Sequence, residues 1–170
     1  MNRVQKYLKL LLLPLLAHKK MRAVIQRITK STVTIDGAIT ASTRHGVLIL
    51  AGFTGNDTLE DIEWVASKII RLRIFDDNDG VMNLSVSDIN GELMVVSQFT
   101  LHARTKKGNR PSYTDAAPPE TAIPLYNSFV QILEGALPGR VSTGKFGAEM
   151  AVELINDGPV TIIIDSKCRE

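Results

Sequence analysis

The chain has 170 residues, 44% hydrophobic and 22% charged, which fits one folded domain with a sizeable core and excludes disordered, collagenous and coiled-coil chains. Its formal charge of +2 hides an asymmetry: five of its 20 Lys and Arg residues (Arg3, Lys6, Lys9, Lys19, Lys20) stand in the first twenty positions with no acid, leaving 15 against 18 Asp and Glu, a net of −3. A globally basic nucleic-acid coat is thereby excluded, as are an internal disulfide, with Cys168 alone, and a Cys/His metal cluster, with three scattered His.

Residues 1–20 read as an N-terminal extension ahead of a single domain, 21–170. The apolar run Leu10 to Ala17 is too short for a membrane-crossing helix, which takes about 20 apolar residues, and Pro14 interrupts it. A start site assigned too early, an organellar targeting segment and a secretory leader all fit this stretch. The expected location is the cytoplasm, or a mitochondrion or other organelle if the extension is a transit peptide, with no membrane association of the domain.

Ala23 to Arg27 and Ser31 to Ile35 are rich in β-branched residues and predict two strands, and Asp36-Gly37 between VTI and AIT is a hairpin turn signal. Gly46 to Phe53 is a continuous apolar run of strand length, expected to be buried on both faces. Asp57 with Glu60 predicts an N-cap and capping box, followed by a helix to about Leu72 with Leu59, Ile62, Ala66 and Ile69 on one face and Trp64 packing. Arg73 to Phe75, Met82 to Val86 and Glu92 to Phe99 suggest further strands. The acidic DDNDG between the first two has Ser87 where a calcium loop needs a carboxylate, so it reads as a solvated turn.

A second helix starts at Pro118-Pro119-Glu120, carries the stripe Tyr126, Phe129, Val130, Leu133 and Leu137, and ends at Pro138-Gly139. Val141 to Ser142, Ala148 to Ile155 and Val160 to Ile164 complete the strands. Many strands with two main helices, not strictly alternating, predict an α+β fold: a layered β/β/α sandwich of mostly antiparallel or mixed strands.

Gly139 to Phe146 matches GxxxxGK, yet Phe146 stands where a phosphate loop needs a hydroxyl for magnesium, which argues against a nucleotide site. GxSxG, HExxH and CxxC are absent, and His45 and His102 lie far apart. Two segments remain. In Ser97-Gln98-Phe99-Thr100 a buried-looking strand ends in polar residues beside a loop with Arg104, Lys106, Lys107 and Arg110 and no acid, a place suited to an oxyanion and a phosphate backbone. In Asn156 to Thr161, Gly158-Pro159 interrupts two apolar runs and marks a bulge, turn or edge.

SQFTL at Ser97, RTKKGNRPSY at Arg104, AAPPE at Ala116, TGKFGAEM at Thr143, NDGPVT at Asn156 and the opening MRAVIQR at Met21 together resemble the D-aminoacyl-tRNA deacylases, over Met21 to about Lys167. His102 departs from that pattern, since related sequences often carry Tyr there. The resemblance implies a homodimer that acts on aminoacyl-tRNA, not DNA, hydrolysing the ester of a D-amino acid and also removing glycine, with no metal or organic cofactor. It implies that Ser97, Gln98, Phe99 and Thr100 line the catalytic pocket, with backbone N–H groups near Phe99 and Thr100 facing the ester carbonyl. It further implies that Gly158 and Pro159, joined by a cis bond, reach across the dimer for chiral selection, and that the RNA 2′-OH assists in place of a protein base. The basic residues Arg104, Lys106, Lys107 and Arg110 would meet tRNA. A Thr100 nucleophile would need an activating base, and none adjoins it in sequence, so a positioning role fits better. The rival class is a catalytically silent RNA-binding or interaction module on the same scaffold.

Overall fold

Buried residues alternate with less buried ones along Arg22 to Arg27 and again from Ser31 to Thr34, and the whole stretch Arg22–Ile35 forms one 14-residue strand, β1. The molecule is seen in a computed structural model that describes residues 20–169. Nearly all of the expected extension lies outside the described residues. Within them, the Lys20 ammonium sits 2.7 Å from Asp165, and Met21 is fully buried.

The two strands expected at the start are therefore one. Its continuity comes from a partner that runs its full length, β8 (Ala151–Asp165), whose register with it slips between Ile28 and Lys30. Such a bulge bends a strand without ending it. The Asp36-Gly37 turn, with φ of 50° and 78°, returns β1 into β2 (Ala38–Thr43), as the primed hairpin geometry requires.

β3 (Gly46–Gly52) is antiparallel to β1 and parallel to β6 (Glu92–Ser97), which is parallel in turn to β7 (Val141–Thr143). The sheet order is β2-β1-β3-β6-β7, with β8 along the other side of β1. Between β3 and β6 lie helix α1 (Leu59–Arg71) and a small hairpin, β4 (Phe75–Asp76) and β5 (Met82–Leu84). Asp77 at the tip of that hairpin accepts from the N–H groups of Asp79 and Val81, so DDNDG is a turn built on a side-chain cap. Helix α2 (Pro119–Ala136) joins β6 to β7. The outer strands approach each other where the Ser142 hydroxyl donates to the Ser42 carbonyl at 3.3 Å, giving the mixed sheet a nearly barrel-like curl. The α+β class with two helices holds.

Because side chains alternate across a strand, neighbouring residues of β6 feed different cores. Leu93 and Val95 join Ile25, Ile49 and the helix residues Ile62, Ile69, Phe129 and Leu133; Met94 and Val96 join Ile28, Val33 and Leu48 on the other side. That double burial accounts for the unbroken apolar runs in β3 and β6.

Local differences from the sequence have physical causes. The N-cap of α1 is Thr58, not Asp57, and the capping box closes through Asp61. Asp57 instead closes the preceding turn, accepting from the Thr54 N–H at 2.6 Å. Val130, expected in the α2 stripe, is only partly buried. Trp64 packs partly on the core and carries the Arg169 guanidinium 4.7 Å above its ring.

Candidate active site

β6 enters the site from the centre of the sheet. Ser97 is its last paired residue, opposite Ala51, and the Gln98 N–H donates to the Ala51 carbonyl at 2.8 Å. The strand thus ends two residues before the expected Phe99, and the chain turns into a 3-10 turn, Phe99–His102. The turn packs tightly on β3, and glycine at position 52 makes room for it: a Cβ there would lie 2.8 Å from the Gln98 carbonyl oxygen. The first N–H groups of such a turn have no acceptor within it. Those of Phe99 and Thr100 donate to no carbonyl among the described residues. The Gln98 amide donates to the Thr100 hydroxyl at 2.5 Å, which fixes both side chains at the turn.

Above this strand end opens a cavity of about 610 Å³. Its walls are Phe99 and Tyr113, in edge contact at 5.0 Å between ring centres, the start of α2 at Pro118 and Pro119, and the Phe146 to Ala148 turn. Ser97 and Gln98 also line it, and no lining residue is His, Cys, Lys, Arg, Asp or Glu. The Tyr126 hydroxyl behind Phe146 donates to the Val95 carbonyl at 3.0 Å. Burial pushes that phenol up to about 12, against the opposing hydrogen bond with Thr143, so it stays protonated near neutrality. The site can offer hydrogen-bond donors and a shaped wall, but no side chain poised to take a proton at neutral pH. Among the described residues no three His, Cys, Asp or Glu side chains group as a metal site would, and no helix is long and apolar enough to cross a membrane.

The basic loop hangs from the cavity rim. Reciprocal backbone bonds between Arg104 and Ser112, at 2.7 and 3.0 Å, close its base. Arg104 is not a free cation: its guanidinium grips the Asp115 carboxylate with two hydrogen bonds. Asp115 stands one residue beyond the stretch expected to lack acids. Lys106, Lys107 and Arg110 are exposed.

Gly158 and Pro159 are not in this cavity; they are exposed on β8 at the far side of β1. The two closing strands expected around them are one strand with an excursion. Gln26 pairs with Thr161 and Ile28 with Asn156, so Asp157 to Val160 face Arg27 alone. The Gly158-Pro159 bond is cis and Gly158 has φ +115°. Arg27, nearly fully buried, lies beneath them. Its Nε is 3.3 Å from the Asp157 carbonyl and 3.0 Å from the Asp157 carboxylate, and its Nη1 donates to the Ile74 carbonyl at 2.6 Å.

Comparison with known proteins decides the family. The model of the D-Tyr-tRNA(Tyr) deacylase family matches residues 24–165. The chain belongs to that family. It is therefore an enzyme of the ester-hydrolase class. Over 150 residues, 88% of this chain and the whole of each relative, it is 63% identical to a D-aminoacyl-tRNA deacylase of Flavobacterium psychrophilum and 57% identical to one of Akkermansia muciniphila. Among solved structures, one titled c-Myc DNA Unwinding Element Binding Protein superposes with TM-score 0.81 at 41% identity, covering 84% of this chain and 97% of that one. A probable eukaryotic D-amino acid tRNA deacylase shares the fold at 16% identity, TM-score 0.75, covering 86% and 99%.

Of the four residues expected to line the pocket of this deacylase-family chain, Ser97, Gln98 and Phe99 stand in the cavity wall and Thr100 does not; Tyr113, Phe146 and Arg27 had no expected role. Phe146 was visible only as the residue that spoils a phosphate loop. Arg27 had one available signal, a charge at an inward position of an otherwise apolar strand pattern.

Proposed function

We propose that this chain hydrolyses the ester joining a D-amino acid to the terminal adenosine of tRNA, and that it also releases glycine from misloaded tRNA, acting as a homodimer in the cytoplasm. The catalytic domain is residues 21–170, preceded by an extension. The observation that carries the reading is a cavity in a deacylase-family chain that is bordered by Ser97, Gln98 and Phe99, at the start of a turn whose first N–H groups have no backbone acceptor among the described residues, and that has no His, Cys, Lys, Arg, Asp or Glu in its wall. Chemistry in such a site has to draw on main-chain groups and on the substrate.

The ester carbonyl oxygen accepts from the Phe99 and Thr100 N–H groups, which stabilise the oxyanion as water adds to the carbonyl carbon. The neighbouring ribose 2′-OH orients that water. The bond from carbonyl carbon to ribose oxygen then breaks, the ribose oxygen takes a proton, and a free D-amino acid leaves. D and L isomers exchange only hydrogen and side chain at Cα, so a rigid backbone wall admits one and clashes with the other without reading the side chain. Glycine, lacking a side chain, passes. Dependence on a 2′-OH also selects RNA over DNA.

Gly158 and Pro159 supply that wall to the partner subunit's cavity. Two features support this: they stand exposed and away from their own cavity, and Ile155 and Ile163 beside them are 50% and 64% exposed on an edge strand. Covering isoleucines that are half to two-thirds exposed stabilises by about 1–2 kcal/mol each, the corresponding share of the value for full burial. Lys106, Lys107 and Arg110 meet the tRNA backbone, with Arg104 holding the loop base through Asp115.

The test is amino acid release from D-tyrosyl-tRNA, L-tyrosyl-tRNA and glycyl-tRNA by the full chain with chelator present. Turnover of the D and glycyl substrates with L spared is expected. A folded dimer that binds tRNA and hydrolyses none of them would establish the silent binding module instead.

A further inference from the structure

The excursion at Gly158-Pro159 poses a mechanical problem. Four residues, Asp157 to Val160, stand opposite Arg27 alone and so leave the ladder. An unpaired loop on an edge strand is soft, whereas a wall that separates D from L has to hold its carbonyls within a fraction of an ångström. Arg27 braces one end, because its hydrogen bonds and ion pairs go to Asp157 and to the β4 region. Nothing in that set reaches the residues after Pro159.

The second end is held by Asn156. Its Oδ1 accepts from the Val160 N–H at 3.1 Å, and its Nδ2 donates to the Thr161 hydroxyl at 3.0 Å. Thr161 is in turn the register partner of Gln26, whose amide reaches the same hydroxyl at 3.4 Å. One side chain thus bridges the mouth of the excursion, from the residue where it starts to the residue where pairing resumes. The acceptor and donor of its amide are both used, and the Val160 N–H is the first donor after the cis bond. Leucine or alanine at this position would leave Val160 unheld, and a carboxylate would keep only the acceptor half.

We infer that Asn156 is a specificity-positioning residue: by tying Val160 and Thr161 to the start of the excursion it fixes the direction of the Gly158-Pro159 carbonyls, independently of Arg27. It touches no substrate and acts through the backbone it holds. The inference rests on the deacylase reading, in which those carbonyls form the chiral wall.

The experiment compares wild type, Asn156→Ala and Asn156→Asp as full-length dimers, measuring kcat/KM on D-tyrosyl-tRNA and L-tyrosyl-tRNA, thermal unfolding, and exchange of the Val160 amide proton. The expected result for Asn156→Ala is a fall of tenfold or more in the D to L ratio, with faster Val160 exchange and an intact dimer. Asn156→Asp, which keeps the acceptor for Val160, recovers most of the ratio. A merely structural role would lower both rates together and leave the ratio in place, and a ratio within twofold of wild type in a folded Asn156→Ala dimer overturns the proposal. Unchanged exchange at Val160 overturns it as well, whatever the kinetics. Failure of the wild type itself to hydrolyse the D substrate defeats the deacylase reading and this proposal with it, an outcome told apart by the wild-type arm alone.

Discussion

The two segments to which we assign the chemistry are built in opposite ways. Ser97 ends a strand paired with β3 and β7 and buried along Leu93 to Val96, so the turn that follows it is anchored in the core. Gly158-Pro159 sits in an excursion of a strand paired, among the described residues, on one side only, and side chains hold it: Arg27 from below and Asn156 across its mouth. On the proposed function, a floor that stabilises charge is made by the fold, whereas a wall that projects into a neighbour leaves the sheet and is braced.

The sharpest way to break this contrast is Gly52→Ala. The added methyl meets the Gln98 carbonyl at 2.8 Å, backbone that the core prevents from yielding. Denaturant unfolding should show a loss of about 2–3 kcal/mol, and turnover should fall roughly a hundredfold through misplaced donors. An unperturbed enzyme would mean that the floor is softer than its pairing implies.

Arg27→Ala tests the other region. It removes a charged donor from the buried Ile74 carbonyl and from Asp157, and about 2 kcal/mol of stability should go with it. Discrimination between D and L should drop more than D turnover itself. Equal losses in both would indicate that the brace supports the whole site rather than the wall.

Thr100→Ala should cost less, within about tenfold in kcat, because the hydroxyl receives the Gln98 amide and Thr100 does not line the cavity. Loss of several powers of ten with fold and tRNA binding intact would make Thr100 a nucleophile.

The smallest effect concerns acid stability and neither segment. Burial alone would raise Asp165, but Arg22 and Lys20 overcome it and hold its carboxyl below the usual range. With the folded value lower than the unfolded one, its contribution is complete above about pH 3.9 and is lost as pH falls through the folded value. Asp57 runs the other way, since burial raises it and its charged form is disfavoured in the fold. Asp165→Asn should therefore flatten the acid limb of a stability-against-pH curve, and Asp57→Asn should not.

Much of this contrast was legible in the residues. The unbroken apolar run at Gly46 to Phe53 announced a doubly buried strand, the stretch before Ser97 a buried one, and Pro159 ruled out regular pairing at its own position. Other features were not. The pairing that merges Ala148 to Ile155 with Val160 to Ile164 needs β1 alongside, and no local pattern carries that information. Arg104 read as a free cation because its partner, Asp115, lies across the closure of the loop rather than beside it in sequence. The capping box moved by one residue, to Thr58 and Asp61, because both Asp57 and Thr58 are good caps and only the turn through Thr54 decides between them.

Sequence alone determined the α+β class, the two helices, the polar strand end at Ser97 to Thr100 and the Gly158-Pro159 interruption, because each is written in short-range periodicity or in the stereochemistry of single residues. Tertiary structure decided the rest. It brought Tyr113, Pro118 and Phe146 from separate segments to one cavity wall, left that cavity without an ionisable group near neutrality, and set Arg27 and Asn156 beneath and across the excursion. Such contacts join residues far apart in the chain, and only the packing of β1 between β3 and β8 brings them within reach.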